Sequence, residues 1–311
     1  MEEFQPYSPE EIILSNLEEL FHRSMHISEQ EIAHLRELAD QIASDLSDGQ
    51  AWLTSLPDHG LPMPEPDWMQ KSAEFAPIAS HLRRQISTRQ SILLCMELKK
   101  YVPSLNRFWQ DRFPSDRELS EFSQNRISYQ KNNYTEQAFR CFSDWLGEAR
   151  AAYAHSFSSV CEDVYNGISQ YCILPIRNSS EGRLVSFARL IAQYDLKIAA
   201  TCDVRVGEDK ITRFALLQRD FTPLSDGEQT AQFYECVCTL SDFPDAEDLL
   251  SAARLCGLKA EYVDVQSSEL PSQRVFHGVF RVENGDLLAF LLYLAMVLPT
   301  VNSIGHYPHL T

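Results

Sequence analysis

The chain has 311 residues, 44% of them hydrophobic and 11% aromatic, enough apolar material for a sizeable core and a length that predicts two domains or three small ones. Forty-four acidic against twenty-seven basic residues give a formal charge of -17, which disfavours generic attraction to nucleic acid or to anionic lipid. No run approaches the ~18 uninterrupted apolar residues of a membrane-spanning helix, and Met1-Glu2-Glu3-Phe4 lacks the basic, apolar start of a secretion signal, so a cytoplasmic protein is expected.

Residues 1–50 carry twelve acidic and two basic groups, and residues 201–250 carry eleven and four. Between them the chain is nearly balanced and holds many of its arginines, so an anionic ligand is expected there, held by local cations against an unfavourable overall field. Eight cysteines lie scattered without paired metal-ligand spacing, several inside apolar runs, and read as reduced, buried thiols with no metal.

In chain order, Ser8-Pro9-Glu10-Glu11 starts a helix over about 9–25, and Ser28-Glu29-Gln30-Glu31 is a capping box ahead of a stripe of Ile32, Leu35, Leu38, Ile42 and Leu46. Prolines 57, 62, 64 and 66 enforce an extended connection, after which a longer helix reaches about Tyr101. Weaker helical periodicity resumes through Phe122, Ile127, Phe139, Phe142 and Leu146. His22 with His26 lacks a third ligand and reads as a solvated helix face. The basic set Arg83, Arg84, Arg89, Lys99, Lys100 and Arg107 either faces solvent or points inward to grip a dicarboxylate.

Near residue 150 the pattern changes to alternating strands and helices. A helix over Phe157–Asn166 ends at Gly167, and Tyr171–Ile176 is a strand followed by the loop Arg177–Gly182. A helix through Phe187 and Tyr194, a strand over Leu196–Thr201, a turn at Gly207-Glu208-Asp209 and a strand from Ile211 follow. Residues 232–311 read as strand, helix, strand, strand, helix, strand: Phe233–Leu240, Ala246–Cys256, Lys259–Val265, Arg274–Val282, Asp286–Leu298 and Val301–Tyr307. That order is a ferredoxin-like βαββαβ unit. The whole is an α+β chain, with a helical N-terminal domain over 1–150, a shortened α/β segment over 151–224 and the βαββαβ domain over 230–311.

The stretch Leu174-Pro175-Ile176-Arg177-Asn178-Ser179-Ser180-Glu181-Gly182, with Lys210-Ile211-Thr212-Arg213-Phe214-Ala215-Leu216-Leu217, resembles two signature segments of the prephenate dehydratase family. The C-terminal unit is similar to the ACT domain that follows the catalytic part in that family. The resemblance implies a dehydratase of phenylalanine biosynthesis that converts prephenate to phenylpyruvate with loss of carbon dioxide and water, without a cofactor. It gives catalytic roles to Thr212 and Arg213 and substrate contacts to Asn178, Ser179, Ser180, Glu181 and Phe214. It further implies phenylalanine as effector, bound near Asp245, Ala246, Ser268 and Glu269, and a homodimer formed through the ACT-like domains.

An Arg fork suits a carboxylate, and a positioned Thr suits a departing hydroxyl. The same residues also read structurally, Asn178 and Glu181 as a helix cap and Thr212-Arg213-Phe214 as an alternating strand. Upstream of Ser156 there is no glycine-rich G-P-x-G-[ST] segment of the kind the family carries after its first strand, and about thirty residues separate Glu181 from Thr212 where the family places a second lobe. The alternatives are an inactive relative that binds an amino acid or a partner protein, or a chorismate mutase fused in the helical half.

Overall fold

The computed structural model describes residues 29–45, 87–101, 124–206, 210–221, 232–240, 245–267, 274–298 and 301–311. The helix expected over 9–25, the proline-rich connection, the His22/His26 pair, Arg83, Arg84 and Arg107 lie outside the described residues. Two helices come first, α1 (Glu29–Asp45) and α2 (Thr88–Leu98), the latter continued by a single 3-10 turn over Lys99–Tyr101. Ser87 opens α2 with a capping box: its hydroxyl accepts from Gln90 N, and the Gln90 side chain returns the bond to Ser87 N.

The strand–helix alternation then begins at Arg126, earlier than the change expected near residue 150. The elements are β1 (Arg126–Gln130), α3 (Asn133–Leu146), β2 (Arg150–Ala154), α4 (Phe157–Tyr165), β3 (Tyr171–Asn178), β4 (Gly182–Arg183), α5 (Val185–Gln193), β5 (Lys197–Val206) and β6 (Lys210–Gln218). Of the helical periodicity expected through Phe122, Ile127, Phe139, Phe142 and Leu146, Phe122 lies outside the described residues, Ile127 belongs to a strand, and the other three lie on the helix that starts at Asn133. The cause is local: Asn132 has extended backbone, and its Oδ1 accepts from Tyr134 N and Thr135 N at 2.9 and 3.0 Å, which starts a helix there and ends whatever precedes it. Ile127, Ser128 and Tyr129 are buried in succession, as in a strand covered on both faces.

The C-terminal unit follows the expected boundaries within about two residues at its helix ends and within three at its last strand: β7 (Gln232–Leu240), α6 (Ala246–Leu255), β8 (Lys259–Ser267), β9 (Arg274–Val282), α7 (Leu287–Val297) and β10 (Asn302–Leu310). Its strand order, β10-β7-β9-β8, is that of a ferredoxin-like βαββαβ unit. The two halves share one sheet in the order β2-β1-β3-β6-β5-β10-β7-β9-β8, with β4 hanging on β3. β10 joins them. Asn302 to Pro308 pair antiparallel with β7, and His309 and Leu310 pair parallel with Thr201 and Cys202 of β5. Gly305 lies at an irregularity in the β10–β7 register, where the backbones close to the point that a Cβ would stand 2.6 Å from the Ile198 carbonyl oxygen.

Three cores follow from this layout. Ile127, Tyr129, Ile173, Phe214 and Leu216 pack beneath α3. Cys172, Leu174, Ala215 and Leu217 pack on the opposite face with α4 and α5, together with Phe233, Ile304 and Tyr307 from the ferredoxin-like sheet. Tyr234, Cys236, Phe276 and Phe280 face α6 and α7, and α2 lies over those helices through Ile92, Leu94, Cys95 and Leu98. α7 is apolar on every side, as a helix buried between a sheet and another helix must be. All eight cysteines are free, and all but the half-buried Cys141 are buried, in line with the sequence reading.

Polar contacts fix where α2 docks. Lys99 pairs with Asp286, the N-cap of α7, and Thr88 Oγ1 donates to Asp248 Oδ1 at 2.8 Å. Thr88→Val keeps the shape and removes that bond, so it should lower the unfolding free energy by about 1 kcal/mol in a urea titration. An unchanged midpoint would show that water replaces the hydroxyl at no cost.

Candidate functional site

The two motifs singled out in the sequence are adjacent in space. β3 and β6 run antiparallel with Asn178 opposite Thr212 and Arg177 opposite Arg213. Beyond the last rung Ser179 N donates to Ile211 O at 2.9 Å, and Ile211 N donates to Ser179 Oγ at 3.1 Å. Asn178 Oδ1 accepts from Ser180 N, Ser180 Oγ and Glu181 N, so its side chain closes the turn into β4. The helix that follows starts at Val185 with Leu184 as its cap and no side-chain cap bond, which corrects the reading of Asn178 and Glu181 as its capping pair. Ser179, Ser180 and Glu181 are exposed on this turn.

Strand alternation separates the two residues of the second motif. Phe214, 4% exposed, and Leu216 belong to the core under α3, so Thr212 lies on that face and Arg213 on the other. Phe214 is thereby a core residue. Arg213 is engaged: its Nε and Nη2 donate to Asp203 Oδ1 and Oδ2 at 2.8 and 3.0 Å, a bidentate pair across neighbouring strands. His309 Nε2 stands 3.5 Å from the same carboxylate. Burial pushes the Asp203 carboxyl up, but the bonds from His309 and Arg213 outweigh it and hold the group well below the usual carboxylate range.

At the proposed effector end, Asp245 is the N-cap of α6. Its Oδ1 accepts from Asp248 N at 2.9 Å while its own N–H donates to Asp248 Oδ2. Ala246 opens the helix and packs on its core. Ser268 and Glu269 lie outside the described residues. Of the basic set on the early helices, Lys99 pairs with Asp286 and Lys100 with Glu97, both on the α7 side of the ferredoxin-like unit rather than over Asn178 and Thr212.

Beside Arg213 a cavity of about 320 Å³ opens between α5 and the face of the ferredoxin-like sheet that carries no helix. Its residues come from β3, β4, α5, β5, β6, β7, β8, β9 and β10, which is why sequence reading missed it. A signal was present: Glu235 stands alone among apolar neighbours in Phe233–Leu240, and a carboxylate inside such a strand needs partners. It has them, with His277 Nε2 2.6 Å from Oε1 and Tyr307 OH donating to Oε2 at 2.7 Å. Burial raises the Glu235 pKa, and the bonds from His277 and Tyr307 with the Arg183 charge outweigh that and leave it lowered.

Residues 130–209 match the family model of prephenate dehydratase. Over that stretch the chain resembles prephenate dehydratase. The match starts at the β1–α3 turn, where Lys131-Asn132-Asn133-Tyr134-Thr135 follows β1. Thr135 is 1% exposed and its hydroxyl donates to Gln130 O at 2.7 Å, so this turn is closed by its own side chains. Among solved structures the chain is similar to prephenate dehydratase from Streptococcus mutans (19% identity, 60% of this chain and 99% of that one, TM-score 0.49). It is also similar to a prephenate dehydratase from Arthrobacter aurescens in complex with L-Phe (15% identity, 59% and 89%, TM-score 0.47) and to GqqA, described as a novel type of quorum quenching acylase (18% identity, 60% and 95%, TM-score 0.47). No curated protein matches the chain.

Proposed function

We propose that this protein is a carboxylate-binding relative of prephenate dehydratase, placed by descent in aromatic amino-acid metabolism, in which binding has outlived the lyase reaction. The observation that carries this reading is the Arg213–Asp203 pair on the face of β6 opposite Thr212. Dehydration of prephenate needs a donor at the departing hydroxyl and a cation at the carboxylate of one bound molecule. Here the donor and the cation look out on opposite sides of a sheet, and the cation already holds a carboxylate. The C-terminal βαββαβ unit fits an ACT-like role in sensing an amino acid such as phenylalanine, within a cytoplasmic homodimer that needs no cofactor.

An active dehydratase is the second reading, and it draws on the side-by-side register of Asn178 and Thr212. Incubating the purified protein with prephenate and following phenylpyruvate decides between the two. The expected result is formation at the spontaneous rate at every protein concentration, unchanged by Thr212→Ala, with prephenate or phenylalanine binding measurable by calorimetry. Turnover that scales with protein and falls at least about a hundredfold in Thr212→Ala would establish the lyase instead.

A further inference from the structure

We infer that the cavity between α5 and the ferredoxin-like sheet is a binding site for a small organic carboxylate with an apolar body, which deepens the binding reading above by giving it a place distinct from the Thr212 face. Three arginines carry the inference. Arg177 on β3, Arg183 on β4 and Arg189 on α5 all line the cavity, and none of them forms an ion pair with a carboxylate among the described residues. In a chain of net charge -17, three guanidinium groups gathered on one concave surface, Arg177 and Arg189 exposed and Arg183 near the buried Glu235, make a local positive patch that attracts an anion against the overall field.

The other cations and anions of the lining are accounted for. Arg213 is held by Asp203, Glu261 by Arg281 at 3.1 Å, and Glu235 by His277 and Tyr307. Arg177 is also poised over the Tyr262 ring at 5.2 Å, a stacking that fixes its guanidinium without using its donors on a carboxylate. A buried polar group adds to the pattern: His277 is 4% exposed, and its Nδ1 has no hydrogen-bond partner although Nε2 is held by Glu235.

The remainder of the wall selects the ligand class. Ile176, Ile191, Ile198, Val237, Val279 and Ile304 give the cavity an apolar floor, which inorganic anions cannot use and a hydrocarbon body can. Its volume of about 320 Å³ admits a molecule the size of a phenyl ring with a short acid chain.

The test uses 3-phenylpropanoate as probe and inorganic phosphate as the anion without an apolar body. Calorimetry on the full chain is expected to show one site for 3-phenylpropanoate that phosphate at equal concentration does not displace. Arg189→Gln, on the exposed side of α5, should weaken binding about tenfold with the fold intact by circular dichroism, and Ala188→Trp, which fills the cavity from the same helix, should abolish it. Wild-type affinity in both variants, or displacement by phosphate, would overturn the site. The outcomes are separable from those of the prephenate assay: turnover there removes the non-catalytic reading and leaves this cavity standing, and undiminished binding in both variants removes the cavity and leaves that reading standing.

Discussion

Gly305→Ala is expected to lower the melting temperature by roughly 5–10 °C, equivalent to about 3 kcal/mol for a chain of this size. The added Cβ would meet the Ile198 carbonyl oxygen at 2.6 Å, Tyr307 Cδ1 at 2.8 Å and Ile198 Cβ at 3.0 Å. A side-chain tip can turn away from such a contact, but the backbone carbonyl of Ile198, near the start of β5, cannot move without disturbing its pairing with Leu217 of β6. Gly278 makes the comparison. Its added Cβ would touch only ring atoms of Phe276 and Phe280, at 2.7 to 2.9 Å, which are side-chain ends and not backbone, so Gly278→Ala should cost less. Thermal unfolding followed by far-ultraviolet circular dichroism checks both. A shift below about 2 °C for Gly305→Ala would mean that β10 can withdraw from β5 freely.

The second large effect is a pH dependence that His306→Leu removes. His306 is 4% exposed, and burial lowers its pKa from 6.5 to about 4. The native ring stays neutral down to about pH 4, whereas the unfolded chain takes up a proton near pH 6.5. Between those values the unfolded state binds more protons, so stability is complete above 6.5 and is lost as the pH falls toward 4. The loss reaches roughly 3 kcal/mol at the lower end. Glu235 and Asp203 have lowered pKa values, so the stability they contribute is present above the ordinary carboxylate range and is lost only below it, outside most of this window. Urea titrations at pH 7 and pH 4.5 should show the wild type losing most of that amount and His306→Leu losing markedly less. Parallel losses would mean that the native state accommodates the charged ring.

The contrast between halves shows what local sequence can and cannot carry. The C-terminal unit was legible because each element ends on a local device: Asp245 and Asp286 cap the two helices, and Gly257 at φ 73° closes the first. β1 was not legible, since five residues give only Ile127 and Tyr129 as a period of two, and Phe139, Phe142 and Leu146 downstream impose a helical period on the same window. The motif residues were found, and their placement on one or other face was also within reach, because alternation along Lys210–Gln218 alone puts Thr212 and Arg213 on opposite sides. The partner of Arg213 was not. Asp203 comes opposite Arg213 only through the pairing of β5 with β6. Likewise Arg183, Arg189, Glu235 and His277 converge from four elements, and no spacing in the chain announces a site that exists only after the sheet has closed.

β10 follows every other described element in the chain, yet it supplies a rung to β5 and a full ladder to β7. During synthesis, the sheet of β1 to β6 therefore keeps an open edge along β5 until β10 has emerged. An unpaired edge of that kind invites pairing with other chains. Ribosome-bound chains halted before residue 302 should consequently be far more prone to aggregate or to recruit chaperones than chains halted beyond residue 311 plus the length of the exit tunnel. The two halves mature together or not at all, and a fusion or truncation that spares every residue before β10 still leaves both unfinished.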